Sequence, residues 1–314
     1  MDTVMKPHSA LRTRHSARGS SQDGFSLIEA LIAVSVLLIL FTAATNGLNQ
    51  TAIFSRVVGN RTEMHGSVRG ATELMQQEIG QAGRVALPGP IATTGAVLKG
   101  AGTITLSTVT GLFVGAKVVV GTNDQTETVT ITALGASDMS GVFAIAHNAG
   151  EPVSILGAFS SGVVPASMAN GSTGTVLKLY GDINDDGQML YVEYTCDTAA
   201  GYLYRNVMPW TAAAKPVKTA SMIILNNVIA NPGNAACFSY QTEVVLGTTY
   251  VTGVAVTLSV RSQQRDQFSK TFQTATKTLL NVSPRNIFLI WTMASIGVTN
   301  RQQPMPASVL ALLP

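Results

Sequence analysis

The stretch Gly24-Phe25-Ser26-Leu27-Ile28-Glu29 is followed at once by an apolar run from Ala30 to Ala44. Glu29 is the one acid in a segment that otherwise carries no charge and is long enough for a membrane helix. An ionisable group inside such a segment is costly and by default indicates a functional partner. Glu29 is therefore the first candidate functional residue of the chain.

The basic leader, the glycine, the phenylalanine and the glutamate ahead of an apolar helix resemble the N-terminus of type IV pilins and type II secretion pseudopilins. The resemblance covers roughly residues 18–83. In that family a membrane aspartyl peptidase cuts after the glycine and methylates the new N-terminal amine, which implies processing at Gly24 and Phe25. It also implies that the Glu29 carboxylate meets the N-terminal amine of a neighbouring subunit; a glutamate that only lies at the lipid headgroups is the alternative.

The positive charge of the chain belongs mainly to the leader, residues 1–24. Four of the 20 Lys and Arg and two of the 17 Asp and Glu lie there, so the remainder carries 16 basic and 15 acidic side chains, a net charge of +1. A basic segment before a membrane helix is what the positive-inside rule expects on the cytoplasmic side. The charge therefore gives no indication of nucleic-acid binding.

A secretory signal peptide is the competing interpretation of the N-terminus, with Thr42-Ala43-Ala44 as a weak cleavage site. Cleavage there would discard Glu29 and the apolar run together. We therefore expect cleavage before the apolar run.

The pattern predicts one long helix with two different halves. Residues 25–46 would form about 33 Å of helix, enough to cross a bilayer. Residues 47–87 are amphipathic, with an apolar face predicted to pack on a globular domain and the polar residues, Glu78 among them, predicted to face water. The predicted apolar face consists of Ile53, Val57, Met64, Val68, Leu74, Met75, Ile79 and Ala82.

Glycine-punctuated apolar strands fill the rest of the chain and predict an α+β fold, in which the helix packs on an antiparallel sheet. Residues 98–158 are predicted to form a small inserted all-β module, a spacer or a partner-binding surface. Residues 174–286 are predicted to form the main pilin-like sheet. The predicted strands are 103–106, 117–120, 126–134 and 142–146 in the module, and 175–180, 189–196, 201–207, 251–260 and 268–280 in the sheet.

The succession Leu190–Tyr194, a short turn and Gly201–Arg205 resembles the C-terminal half of PilW-like minor pilins and also the J-type minor pseudopilin. Pro284-Arg285-Asn286 resembles the point where such proteins end. The tail at 287–314 departs from that pattern, and we expect it to pack on the sheet, bind a partner or be disordered.

A calcium-loop pattern begins at Asp182 and satisfies D-x-[DN]-x-[DN]-G-x5-E. Asp182, Asn184 and Asp186 would be side-chain ligands, Gln188 a backbone ligand and Glu193 the closing carboxylate. An Asn-Asp-Gly hairpin turn explains the same residues, because strands flank the loop. No cofactor is required, and calcium is a possible ligand.

Cys196 and Cys237 are the two cysteines, and an even count in an exported region predicts one disulfide. Only two of the four histidines, His65 and His147, lie outside the leader. Two histidines far apart in the sequence do not favour a histidine-based catalytic or metal site. We therefore expect a protein that is not an enzyme.

Together these features predict a minor pilin or pseudopilin that primes assembly of a type IV pilus or lies at its tip. The alternatives are a J-type pseudopilin of type II secretion and a tip adhesin or DNA-uptake subunit. The expected partners are the prepilin peptidase, other minor and major pilins, the inner-membrane assembly platform and the lipid bilayer. The expected location is the inner membrane, single-pass with the C-terminal domain in the periplasm, and the pilus or pseudopilus after assembly.

Overall fold

A computed structural model describes residues 24–267 and 269–314, so the predicted leader, Gly24 apart, lies outside the described residues. The chain divides into two units, one ending at Ser55 and the other comprising Arg56–Pro314. The long helix α1, Leu27–Gln81, contributes to both.

Helix α1 begins and ends on residues with clear physical roles. Ser26 precedes its first residue, and the Ser26 Oγ accepts the backbone N–H of Glu29 at 3.2 Å, the hydrogen bond of an N-terminal cap. At the other end Gly83 has φ +82°, and a Cβ on it would lie 2.9 Å from the Phe159 carbonyl oxygen. Only glycine therefore fits the turn that leaves the helix.

Seventeen strands and two further helices follow α1 in the described residues. They are β1 Ile91–Ala92, β2 Gly100–Thr105, β3 Lys117–Val120, β4 Glu127–Thr130, β5 Ala133–Leu134, β6 Asp138–Phe143, β7 Pro152–Ile155, β8 Ala158–Phe159, β9 Val176–Gly181, β10 Leu190–Asp197, β11 Tyr202–Pro209, β12 Ile223–Asn226, β13 Val228–Ile229, β14 Phe238–Val245, β15 Thr248–Arg265, β16 Phe272–Val282, α2 Arg285–Ser295, β17 Gln302–Gln303 and α3 Ala307–Leu312.

Two four-stranded antiparallel sheets form the C-terminal half of the unit. One has the order β12-β11-β10-β9, and the other has β15 between β14 and β13 on one side and β16 on the other. Strand β14 was not predicted from the sequence, because apolar and polar residues do not alternate regularly along Phe238–Val245. The α+β class with a long helix packed on antiparallel sheets is confirmed.

The segment before these sheets forms two smaller sheets, β1-β7-β3-β4 and β2-β6-β5. Strand β3 has the predicted bounds, whereas β6 runs over 138–143 rather than 142–146. The prediction for β6 was wrong because its first half, in which the polar Asp138 and Ser140 flank the buried Met139, pairs with β2 through the backbone.

The sheet β12-β11-β10-β9 lies between two hydrophobic cores. Leu179 and Val192 point into a first core with α1 and α2, while their neighbours Tyr180 and Tyr191 point into a second core with the smaller sheets. This alternation follows from the two-residue period of a strand. Both faces of the sheet are therefore buried, and both cores depend on it.

The C-terminal tail packs against the sheets, in agreement with the first of the three alternatives. Its apolar run forms α2, and Ile287 and Ile290 are buried in the first core. Beyond it, the Gln303 side chain exchanges two hydrogen bonds with the backbone of Lys117, at 2.9 and 2.7 Å. Val309 and Leu312 of α3 are then buried in the second core. The tail thus connects the smaller sheets to the main ones.

Glu78 is buried, at 4 % exposure, which corrects the expectation that it faces water. Its carboxylate accepts the Arg205 Nε–H at 3.0 Å and also the Tyr194 hydroxyl. Burial, with the Glu78 carboxylate adding to it, raises the pKa of the Tyr194 hydroxyl, which therefore stays a donor. The helix is fastened to β10 and β11 by this three-residue network. Of the predicted apolar face, Met64, Val68, Met75, Ile79 and Ala82 are buried.

We expect Glu78→Ala to lower the unfolding free energy of the Arg56–Pro314 fragment by about 3 kcal/mol, because it leaves the half-buried Arg205 guanidinium and the buried Tyr194 hydroxyl without their acceptor. Urea unfolding measures the change. Glu73→Ala is the control, since it removes a glutamate from the same helix whose partner, Arg69, is exposed. Similar losses from both substitutions would contradict the role of the buried network.

Candidate functional site at the start of the long helix

The first residues of α1 are exposed. Phe25 is 84 % exposed, and Leu27 and Ile28 are 86 % and 70 % exposed. The Glu29 backbone N–H is used in the helix cap, but its carboxylate has no hydrogen-bond or ion-pair partner in the part of the chain that the structure describes. The site therefore presents a free carboxylate within one helical turn of the proposed new N-terminus.

Helix α1 is long and apolar enough to cross a membrane, and its apolar window is wholly unburied. In water an exposed apolar surface of this size is unfavourable, so it needs lipid or other helices around it. A carboxylate in such surroundings needs a cation close by. The Ser26-x-x-Glu29 capping pattern is a further sequence signal, and it locates the start of the helix.

Cys196 and Cys237 form the predicted disulfide. Both residues are buried, and the bond joins β10 to the residue immediately before β14. The disulfide thereby links the two main sheets and closes a loop of 41 residues. In the chain-entropy model this cross-link stabilises the folded state by about 3–4 kcal/mol.

The predicted calcium loop is a tight turn between β9 and β10. The Asp182 carboxylate is fully buried and accepts the backbone N–H groups of Asp186 and Gly187 at 3.0 and 3.3 Å. Arg84 lies 3.4 Å from the same carboxylate and also pairs with Asp185. The turn thus already supplies its carboxylates with backbone donors and a cation.

The structure does not bring the fifth predicted ligand to this turn. Glu193 lies opposite Lys178 in the β9–β10 pairing, and its carboxylate contacts Lys215 at 2.8 Å and accepts the Tyr191 hydroxyl at 3.0 Å. Asp186 instead accepts the backbone N–H of Gln188 at 2.9 Å, and Asn184 is exposed. The residues present therefore fit the hairpin turn better than a closed calcium loop.

His147 is buried between two carboxylates, with Glu127 at 2.7 Å from its Nε2 and Glu151 at 2.5 Å from its Nδ1. The backbone N–H of Asn148, and beside it His147, hold the pKa of Glu151 below its usual range. The cluster connects β4 to the start of β7. No group of three His, Cys, Asp or Glu residues is arranged to hold a metal ion within residues 24–267 and 269–314.

Two comparisons with known proteins bear on this N-terminal site. Residues 19–45 match the family model described as the prokaryotic N-terminal methylation motif. The match includes Gly24, Phe25 and Glu29, and it supports a type IV pilin-like or pseudopilin-like subunit that is anchored in a membrane and processed by a prepilin peptidase. No curated protein matches the chain.

We expect Asp182→Asn to destabilise the Arg56–Pro314 fragment by about 1–3 kcal/mol in chelator, because the amide NH2 that replaces the second oxygen cannot accept the Gly187 backbone N–H and the charge opposite Arg84 is lost. Asp186→Asn is the control, since that residue is exposed. Thermal melting of both variants measures the difference, and equal midpoints would contradict it.

Calcium binding at this turn stays a prediction, which the same fragment tests in millimolar calcium against chelator. A midpoint that rises, and no longer does so in Asp186→Ala, which removes the side-chain oxygen at the fifth loop position, is the result that calcium binding requires. If the melting midpoint is unchanged, the turn binds no calcium and its carboxylates are neutralised by Arg84 alone. A rise that survives Glu193→Gln would assign the binding to the tip alone.

Proposed function

We propose that the chain is a minor pilin that takes part in priming assembly of a type IV pilus or lies at its tip. The observation that carries the proposal is the methylation motif at residues 19–45, continued by the membrane-type half of α1 and an α+β unit.

The size of the unit beyond Arg56 supports a minor subunit over a major one. The smaller sheets from β1 to β7 have their own core, and the tail fastens them to the main sheet. A bulky addition of this kind would crowd a subunit repeated along a helical filament, whereas it is tolerated at a tip. The sequence of β10 and β11, which resembles PilW-like minor pilins, agrees with this choice.

Glu29 is proposed as the assembly residue. Its free carboxylate lies in an apolar helix segment, where an unpaired charge is unfavourable. The methylated amine of Phe25 in a neighbouring subunit keeps its positive charge and supplies the missing cation. Pairing of this kind would select for partners that have undergone the same cleavage.

The proposed partners are the prepilin peptidase, the other minor and major pilins and the inner-membrane assembly platform. The proposed location is the inner membrane, with the part beyond Arg56 in the periplasm, and later the pilus. A J-type pseudopilin of type II secretion shares the motif; it would be indicated if deletion of the chain blocked secretion and left pili intact.

We expect Gly24→Leu to leave the leader attached, because a bulky side chain at the cleavage position does not fit a peptidase that requires a very small residue. Immunoblotting of membranes would show the larger form alone, and pili would lack the subunit. Gly24→Ala is the matched control and should be processed. Processing of the leucine variant would contradict the proposed cleavage point.

We expect Glu29→Val to insert in the membrane at least as well as the parent chain, because it removes a charge from an apolar segment. It should lose crosslinking to the other minor pilins, as it has no carboxylate to pair with their amines. Glu29→Asp keeps the charge and should retain part of the crosslinking. Equal crosslinking of the valine variant and the parent would show that Glu29 serves only as an anchor.

A further inference from the structure

A small cleft opens where four segments of the Arg56–Pro314 unit meet. They are residues 86–88 after α1, residues 110–111 before β3, residues 187–189 at the β9–β10 turn and residues 209–211 at the end of β11. The volume of the cleft is about 200 Å³. Since a water takes about 30 Å³ of the liquid, the cleft has room for about seven waters or for one six-membered ring.

Two glycines bring the walls of the cleft together. Gly111 has φ +86°, and a Cβ on it would lie 2.8 Å from the Pro88 Cδ. Gly187 has φ +80°, and a Cβ on it would lie 3.2 Å from the Leu87 carbonyl oxygen. Both loops therefore approach residues 87–88 more closely than a larger residue would allow. The cleft is preformed by these contacts, which lowers the cost of ordering it around a ligand.

One donor in the wall of the cleft is left without a partner. Trp210 lines the cleft, is 9 % exposed and packs edge-to-face on Phe113, with 5.7 Å between the ring centroids. Its indole N–H has no hydrogen-bond partner within residues 24–267 and 269–314. A buried indole N–H usually has such a partner. The Trp210 Nε1 atom is not sealed from solvent, so it can donate to a ligand in the cleft.

Two further polar side chains border the cleft. Gln188 and Thr211 are exposed, and neither side chain makes a hydrogen bond in the part of the chain that the structure describes. The Gln188 backbone N–H donates to the Asp186 carboxylate at 2.9 Å, which holds Gln188 in the β9–β10 turn. A carboxamide and a hydroxyl both donate and accept, whereas an indole N–H only donates. Together they offer hydrogen bonds of both kinds to one ligand.

The rest of the lining is uncharged. Pro88, Met189 and Pro209 form apolar walls, and no described residue that lines the cleft carries a charge. Apolar walls with a few convergent polar groups are the usual composition of a small-molecule site. An ionic ligand would lose its water there without gaining a counter-charge, which is unfavourable. The lining therefore favours a neutral ligand that is rich in hydrogen-bonding groups.

We propose that this cleft binds one ring of a neutral sugar. A sugar ring has an apolar C–H face for the proline and methionine walls, and its hydroxyls donate and accept as Gln188, Thr211 and Trp210 require. An extended peptide needs a groove of about 3.3 Å for each residue, and a cleft of this size accommodates one or two residues. The proposal is independent of the N-terminal site, because the cleft lies wholly within Arg56–Pro314.

The test uses the full mature chain in nanodiscs of phosphatidylcholine, with saturation-transfer NMR as the readout. The probes are the methyl glycosides of glucose, galactose, mannose and N-acetylglucosamine at millimolar concentration. We expect saturation transfer from the protein to the ring protons of at least one glycoside. N-acetylneuraminic acid, a charged sugar, should receive much less.

Gln188→Ala and Trp210→Phe should each weaken binding of that glycoside by about 5-fold, the effect of losing one hydrogen bond. Trp210→Phe removes the indole N–H and keeps an aromatic ring beside Phe113. Gln77→Ala is the matched control, because Gln77 is another exposed glutamine without a side-chain partner among the described residues and does not line the cleft. It should bind like the parent chain. If Trp210→Phe fails to fold, the exposed Gln188 still decides the matter.

Absence of transfer to all four glycosides would overturn the proposal. Binding that neither Gln188→Ala nor Trp210→Phe weakens would also overturn it, since the sugar would then lie elsewhere on the chain. Equal transfer to N-acetylneuraminic acid would show that the neutral lining does not select the ligand, with the same consequence. If an acetylated tetraproline peptide bound and the glycosides did not, the cleft would be assigned to a peptide instead.

Discussion

The buried contact between Glu78, Arg205 and Tyr194 is the constraint on which the unit beyond Arg56 depends. It fixes the last turns of α1 against β10 and β11, the strands whose two faces line the two cores. A buried ion pair is weak evidence for net stability, but breaking one partner away is costly. The pair therefore fixes the position of the helix on the sheet. The apolar contacts of Met75 and Ile79 with the strands are less directional and do not define that position by themselves.

The sheet β12-β11-β10-β9 contributes residues to both hydrophobic cores. The smaller sheets and the tail add a second core on the face that α1 does not cover, with Tyr180 and Tyr191 pointing into it. Because Gln303 and α3 join these sheets to the main ones, the addition is part of one folded unit.

The local features of the chain were predictable, and the long-range pairings were not. The course of α1 and the bounds of β3 follow from apolar periodicity, and the disulfide follows from a cysteine pair in an exported region. Glu78 was assigned to the wet face because its partner Arg205 is 127 residues away. Strand β14 and helix α2 escaped prediction because tertiary contacts decide their conformation. At the N-terminal site, Gly24, Phe25 and Glu29 were found from a motif, but no periodicity shows what pairs with the carboxylate.

We propose that the chain becomes a membrane subunit by losing its leader and exposing a methylated amine near Glu29. The intact mass of the protein extracted from membranes tests this claim most directly. We expect the mass of residues 25–314 with one added methyl group and the disulfide formed. A mass for a chain that still carries its leader, or that begins after Ala44 as a secreted protein would, contradicts it.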